Sequence, residues 1–358
     1  MRLPTPSRLK RSKLVATIAL VGAGGFVGSH LLQALLKRTS WKILAVDLDF
    51  HRIQISQKQV DSRVEFLLAD IADPQVIQKV SRCEIVVNLA AICTPSRYMS
   101  ESLAVIESNF SHPAALAEAC AQTGSWLIYF STSEVYGKTS QATEVLDEDS
   151  SDFVQGPVKA SRWSYAVAKQ LSERYIAAIP NLKFSVVRPF NFIGPWMDFM
   201  PGVDGEGIPR VLANFSSALV RNEPMILVNK GDARRSFTSI HDAIDFMFCL
   251  FENREKAYGE AFNVGNAKNE LSIRELAVLM RRIYARILAA SEESLSPFQE
   301  VSGEAYYGKG YEDSLRRIPS VEKSKRLLGF EAKIPLEDAL EESLCWFKQH
   351  YSAECKRS

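Results

Sequence analysis

The chain has 358 residues, with 43 basic and 42 acidic side chains and a formal net charge of +1. So even a balance gives no compositional case for nucleic acid or an anionic membrane surface as a partner, and the length suits one large α/β domain or a large domain with a smaller lobe. The six cysteines (Cys83, Cys93, Cys120, Cys249, Cys345, Cys355) form no C-x-x-C pair and no Cys/His cluster. Neither a metal site nor a disulfide framework is therefore expected, and a reducing, cytoplasmic setting is the default.

Arg2, Arg8, Lys10, Arg11 and Lys13 precede the apolar run Leu14 to Val27, an order that superficially resembles a signal peptide. Gly22, Gly24, Gly25 and Gly28 break that run, and an amphipathic segment from His30 to Lys37 follows without a cleavage-like boundary. Residues 1–13 are accordingly read as a flexible tail, and residues 351–358 as another. No later stretch approaches the roughly 20 apolar residues of a membrane span, so no membrane partner is expected.

The β-rich run Val15 to Val21 ends in Gly22-Ala23-Gly24-Gly25-Phe26-Val27-Gly28 and passes into a helical pattern. Strand, glycine loop and helix form the context of a dinucleotide site. Glycines at 22, 25 and 28 allow the tight turn, the approach of a pyrophosphate to the backbone, and close packing of helix on strand. A second strand, Lys42 to Asp47, ends in an acid where a carboxylate would bond the adenosine ribose and repel a 2′-phosphate, which predicts NAD rather than NADP. Val64 to Ile71 is a third strand, with Asp70 and Ile71 where an adenine would lie. Ile85 to Ala91 is a fourth, placing Leu89, Ala90 and Ala91 beside the cofactor, and Leu127 to Ser131 a fifth. Helical patterns near 73–80 and 101–123 alternate with them, so the expected fold is α/β, a Rossmann doubly wound parallel sheet with ligands at the strand carboxyl ends.

Thr132, Ser133 and Glu134 then fall on the ligand edge, and Tyr165 and Lys169 lie four apart on one face of the next long helix. An ammonium beside a phenol lowers its pKa toward working pH, which would make Tyr165 a general base. A sixth strand is expected at Phe184–Phe190. The polar segment Met197 to Arg210, carrying five glycines and prolines, has the composition of a substrate-covering loop. Helices are expected at 211–221 and near 240–253, 272–290 and 335–350, a strand at 225–228, and a tyrosine- and glycine-rich loop at 306–311. The predicted organisation is an NAD-binding domain over 14–190 and a smaller substrate-binding lobe over 191–350, interleaved with the sheet.

With these residues in place the chain resembles an extended short-chain dehydrogenase/reductase acting on nucleotide sugars. Ser131-Thr132-Ser133-Glu134-Val135-Tyr136-Gly137, Arg162-Trp163-x-Tyr165, and Tyr307-Gly308-x-Gly310-Tyr311 with Arg317-x-Pro319 resemble the UDP-glucuronic acid decarboxylases. Ala90-Ala91-Ile92-Cys93-Thr94-Pro95 and Pro201-Gly202-Val203-Asp204-Gly205 are similar to the plant-type UDP-apiose/UDP-xylose synthases. The resemblance implies oxidation of UDP-glucuronate at C4 and loss of its carboxylate, giving UDP-xylose or UDP-4-keto-pentose. It implies Tyr165 as base, Lys169 as its support, Thr132 or Ser133 as the group orienting the hydroxyl, and Glu134 and Arg317 as acid/base groups. It places Cys93, Tyr98, Arg162, Asn191, the segment 226–235, Tyr311 and Arg317 against the substrate. Arg210 and Arg235 suit a diphosphate, because guanidinium forks pair with phosphate oxygens. Arg221 and Arg234 are expected in solvent, and His241 outside the chemistry.

Other readings stay open. Glu134 could be a strand-end cap or ion-pair partner, and Arg317 a surface charge. A UDP-sugar 4-epimerase or 4,6-dehydratase would use the same fold, and a scaffold protein would be expected to lose the Tyr or Lys. The apiose-forming family carries a second cysteine where this chain has Ser133, to which ring contraction is tied there. Homodimerisation through helices near 101–123 and 161–178 is an expectation from fold analogy.

Overall fold

The computed structural model describes residues 16–56, 61–95, 97–139, 145–308 and 311–352; both expected tails lie outside these, apart from Tyr351 and Ser352. Seven short segments pair into one parallel sheet: β1 (Thr17–Val21), β2 (Lys42–Asp47), β3 (Val64–Leu68), β4 (Ile85–Asn88), β5 (Trp126–Phe130), β6 (Lys183–Pro189) and β7 (Glu260–Val264). Their spatial order is β7-β6-β5-β4-β1-β2-β3. Helices cover both faces, so the strands are buried on both sides, as parallel sheets require. Ile18, Leu20, Ile43, Ile85, Val87 and Ile128 point to one core, and Ala19, Val21, Leu44, Val86, Leu127 and Tyr129 to the other. That alternation is the period of two of the extended chain.

The chain runs outward from β1 to β3 and then returns to place β4 on the other side of β1. This reversal opens a crevice at the carboxyl ends of β1 and β4, the place where doubly wound sheets take ligands. β7 was not expected: its five residues include Glu260 and Asn263, so it lacks an apolar signature. It gains its place through pairing with β6 and through Asn263, which is fully buried and bonded to Tyr136, Leu146 and Ser320.

Three small strand groups carry the remaining chain over the crevice. Phe192–Ile193 pairs with Thr238–Ser239, and Met225–Val228 with Phe298–Val301. Arg234–Ser236 lies between Glu270–Ser272 and Arg316–Arg317, in a register that sets Arg235 opposite Arg317. Helices Val211–Arg221, Ile240–Glu252, Ile273–Leu288 and Leu336–Tyr351 form close to their expected limits. Tyr306 and Tyr307 depart from the expected loop and belong to a short helix, Gly303–Tyr307, capped by Ser302. Among the described residues no helix is long and apolar enough to cross a membrane.

The expected helix near 101–123 is interrupted by a π-helical turn at Glu107–Ser111. Pro113 explains it. Proline has no N–H to give the carbonyl four residues back, which frees the carbonyl of Asn109. That oxygen accepts instead from Ser172 Oγ at 2.6 Å and from Tyr129 Oη at 3.2 Å. Helix Ser164–Ala178, which carries Tyr165 and Lys169, is thereby pinned to its neighbour and to the end of β5.

Candidate active site

Every cofactor, catalytic or substrate candidate named singly from the sequence lines one cleft of about 1170 Å³ at the carboxyl ends of the strands; of the segment 226–235, Leu227, Lys230, Gly231 and Arg234 do not line it. The glycine loop shapes its floor. Gly22 has φ +87°, and a Cβ there would sit 2.7 Å from the Ala90 nitrogen across the switch point; at Gly28 it would lie 2.2 Å from the Gly22 oxygen. At Gly25 the nearest atom would be 3.4 Å away, so the protein itself leaves that side open. Gly25 also begins helix Phe26–Arg38 without any side-chain cap, leaving the first-turn N–H groups to an anion. Asp47 is fixed at the end of β2, accepting from Gly24 N at 2.7 Å, Leu48 N at 2.7 Å and Asp49 N at 3.2 Å. Burial raises its pKa, against the pull of those bonds. An open glycine cradle, an uncapped helix start and an oriented carboxylate together fit a dinucleotide. Asp70, Ile71, Leu89, Ala90 and Ala91 complete that half of the cleft, with Asp70 accepting from Ala72 N.

At the other half, Lys169 is buried and its Nζ donates to the Phe130 carbonyl at 2.7 Å. Burial pulls its pKa down to about 8. The Tyr165 phenol, under the stacked ring of Tyr98 (4.7 Å between centroids), is pushed well above its ordinary range by burial, then by Cys93 and Glu134; a hydrogen bond with Thr132 opposes the rise. Burial is the largest influence on this phenol, and Lys169 engages one of its three ammonium N–H groups with the Phe130 carbonyl. Thr132 caps the turn Ser133–Tyr136, its hydroxyl accepting from Glu134 N at 3.1 Å. Cys93 is a free, partly exposed thiol whose carbonyl accepts from Tyr98 Oη at 3.0 Å.

Glu134 enters a buried charge cluster. Arg162 Nη1 donates to its Oε2 at 2.8 Å, and Arg317 Nη1 lies 3.6 Å from Oε1. Burial raises its pKa, but the two guanidinium groups outweigh that and hold it below its usual range. Asp313, missed in the sequence, joins the cluster: it accepts from Arg235 Nη2 at 2.8 Å and lies 3.8 Å from Arg162 Nη2. Burial opposes its ionisation, yet Arg235, Arg317 and Arg162 bring its pKa down to about 2. Three guanidinium groups thus face two carboxylates, an excess of one positive charge in the cleft that Tyr165 also lines. Tyr311 Oη donates to Asp313 at 3.3 Å while its ring stacks on Tyr307. Asn191 takes a left-handed φ of 39° and its amide donates to the Ser236 carbonyl.

Arg210 lines the cleft but forks onto Asp198, at 2.6 to 3.0 Å. Arg221 and Arg234, expected in solvent, are also engaged. Arg221 donates to the Pro201 carbonyl, and Arg234 pairs with Glu270 at 2.7 Å and Glu275 at 3.1 Å, because each lies beside a folded-over segment rather than on an open face. His241 pairs with Glu342 at 2.9 Å on the surface, outside the cleft. Among the described residues no group of His, Cys, Asp and Glu could hold a metal.

A cleft built from a glycine loop, an acid at the end of β2 and a Tyr/Lys pair is in keeping with the comparisons with known proteins. Residues 18–265 match the model of the NAD dependent epimerase/dehydratase family, and the chain belongs to that family, the extended short-chain dehydrogenase/reductases. Within it, the chain is related to UDP-apiose/UDP-xylose synthases. It is 41% identical to UDP-D-apiose/UDP-D-xylose synthase 1 of Arabidopsis thaliana, over 96% of this chain and 94% of the relative. It is also 41% identical to the UDP-D-apiose/UDP-D-xylose synthase of Oryza sativa, over 95% and 91%. Among solved structures, the PbgP3 protein from Burkholderia pseudomallei aligns with a TM-score of 0.82 and 30% identity, covering 96% of this chain and 99% of that one. The UDP-glucuronic acid 4-epimerase of Bacillus cereus shares the fold, at a TM-score of 0.75 and 22% identity, over 94% and 100%.

Proposed function

We propose that the protein is an NAD-dependent UDP-glucuronate decarboxylase. The observation that carries this reading is Glu134, held ionised between Arg162 and Arg317 in the turn that also supplies Thr132 to Tyr165. NAD, held by the glycine loop, Asp47 and Lys169, supplies the hydride acceptor. Tyr165 takes the C4 hydroxyl proton, with Thr132 or Ser133 orienting that hydroxyl. The new C4 ketone lies β to the C6 carboxylate, so breaking the C5–C6 bond releases CO2 and leaves an enolate that a proton returned to C5 quenches. The surplus positive charge of the cluster favours binding a sugar that carries its own carboxylate, and Glu134, facing that group, favours its departure as neutral CO2. Arg162 and Arg317 keep Glu134 in place, and Arg235 is the guanidinium placed for the diphosphate.

The relatives' names favour a second reading, in which the same oxidation and decarboxylation precede ring contraction to UDP-apiose. Cys93 is present for it, but Ser133 stands where that family has its second cysteine. Incubation of the purified protein with UDP-glucuronate and NAD, with CO2 release and sugar product followed by NMR, tests both. The expected products are CO2 with UDP-xylose or UDP-4-keto-pentose. UDP-galacturonate without CO2 would sink the decarboxylase reading, and UDP-apiose would establish the second. Glu134→Gln is expected to lower decarboxylation at least a hundredfold, and wild-type rates would remove this residue from the chemistry.

A further inference from the structure

The loop 195–210, which lines the cleft, is fastened to the side of the cleft that carries Asp47. Arg52 stands five residues beyond the ribose-facing Asp47 and lines the adenosine end of the cleft, and its Nη2 donates to the Asp198 carbonyl at 2.6 Å. A second fastening comes from the helix that starts at the glycine loop: His30, buried and outside the cleft lining, bonds the Pro195 carbonyl through Nε2 at 3.0 Å. Between them the loop holds Trp196 at φ +62° and Asp198 at φ +58°, flanking the buried Met197. Left-handed non-glycine residues are strained and persist only where their surroundings hold them. Asp198 in turn fixes Arg210 through the paired bonds described above, so one carbonyl contact to Arg52 and one to His30 anchor a strained segment that roofs the dinucleotide site.

We infer that Arg52 and His30 are positioning residues that hold the loop 195–210 as a clasp over the adenosine end of the cofactor, slowing its release. On the proposed function, this decides the product. The hydride taken from C4 reduces the cofactor. While the cofactor is retained, the hydride returns to the C4 ketone of the decarboxylated sugar, a proton joins the oxygen, and UDP-xylose leaves with NAD regenerated. If the reduced cofactor escapes first, UDP-4-keto-pentose and free NADH appear in equal amounts.

The test is the NADH dissociation rate of the intact protein. NADH-loaded protein is mixed with excess NAD and the loss of bound-NADH fluorescence followed, with no sugar present. Arg52→Met and His30→Phe are each expected to accelerate release threefold or more. Anything less for Arg52→Met overturns the clasp. Acceleration by Arg52→Met but not by His30→Phe also overturns it, since Arg52 would then touch the cofactor directly while the clasp made no contribution. Arg52→Lys, which keeps a donor, is expected to restore slow release, and melting curves identify any variant that has simply unfolded. Because release is read without sugar, its outcome stands whether or not UDP-glucuronate is the substrate. With UDP-glucuronate added, Arg52→Met is expected to shift product from UDP-xylose toward UDP-4-keto-pentose with matching free NADH.

Discussion

Asp313 shows what a single half-buried charge does in this site. It ties Arg162 and Arg235 together at the wall of the cleft, and replacing it by Asn leaves those two guanidinium groups short of a carboxylate. Asp313→Asn is expected to lower the melting temperature by several degrees and kcat/KM for the sugar nucleotide at least tenfold, read by thermal denaturation and steady-state kinetics. Its folded pKa of about 2 lies below the ordinary 3.8, so its stabilisation is complete above about pH 4 and is lost as pH falls toward 2. The gap in stability between wild type and variant should close over that range. His30 behaves differently. Burial lowers its pKa from 6.5 to about 4, so the unfolded chain binds a proton that the folded one refuses, and stability falls as pH drops from 6.5 to 4. His30→Phe is expected to flatten that part of a denaturant-midpoint-against-pH profile. Tyr165 and Lys169 were legible because a spacing of four puts them on one helix face. Asp313 was not, since a lone acid in a polar loop has no periodic signal and gains its meaning from arginines that only the tertiary fold brings to it.

At the scale of elements, β1 to β6 were legible because each is an apolar, β-rich run, and the helices because their apolar positions recur at helical spacing. β7 was invisible for the opposite reason. The interruption at Glu107–Ser111 had a signal in Pro113, but the consequence, a freed Asn109 carbonyl that anchors the helix bearing Tyr165 and Lys169 through Ser172, depends on a partner outside the segment. Helix Ile273–Leu288 shows how much local sequence can determine. Ser272 caps its third residue, Glu275, and the Glu275 side chain reaches back to the Ser272 nitrogen at 2.7 Å. Ser272→Ala is expected to cost about 1 kcal/mol and about 2 °C in melting temperature. Gly28→Ala is a stronger perturbation, because the new Cβ would lie 2.2 Å from a backbone oxygen of the glycine loop. Loss of NAD affinity by at least tenfold, measured by calorimetry, is the expected result.

The whole molecule does not divide where its two tasks divide. The sheet that forms the floor of the cleft takes β7 from a segment that follows the strands and helix built around Arg235, and β7 pairs with β6 from Ser185 to Pro189. The lining of the cleft is shared in the same way: Thr132, Tyr165 and Lys169 come from the sheet side, Arg235, Asp313 and Arg317 from the other. A fragment ending at residue 190 would leave β6 as a bare edge with its ladder groups unpaired. During synthesis the nascent chain passes through that state until residue 264 has emerged, so the sheet can close only after most of the chain exists. The enzyme is therefore expected to resist being split into a portable cofactor-binding module. Expression of residues 1–190 should give aggregated protein, whereas co-expression with residues 191–358 should recover soluble, NAD-binding material by supplying the missing strand in trans.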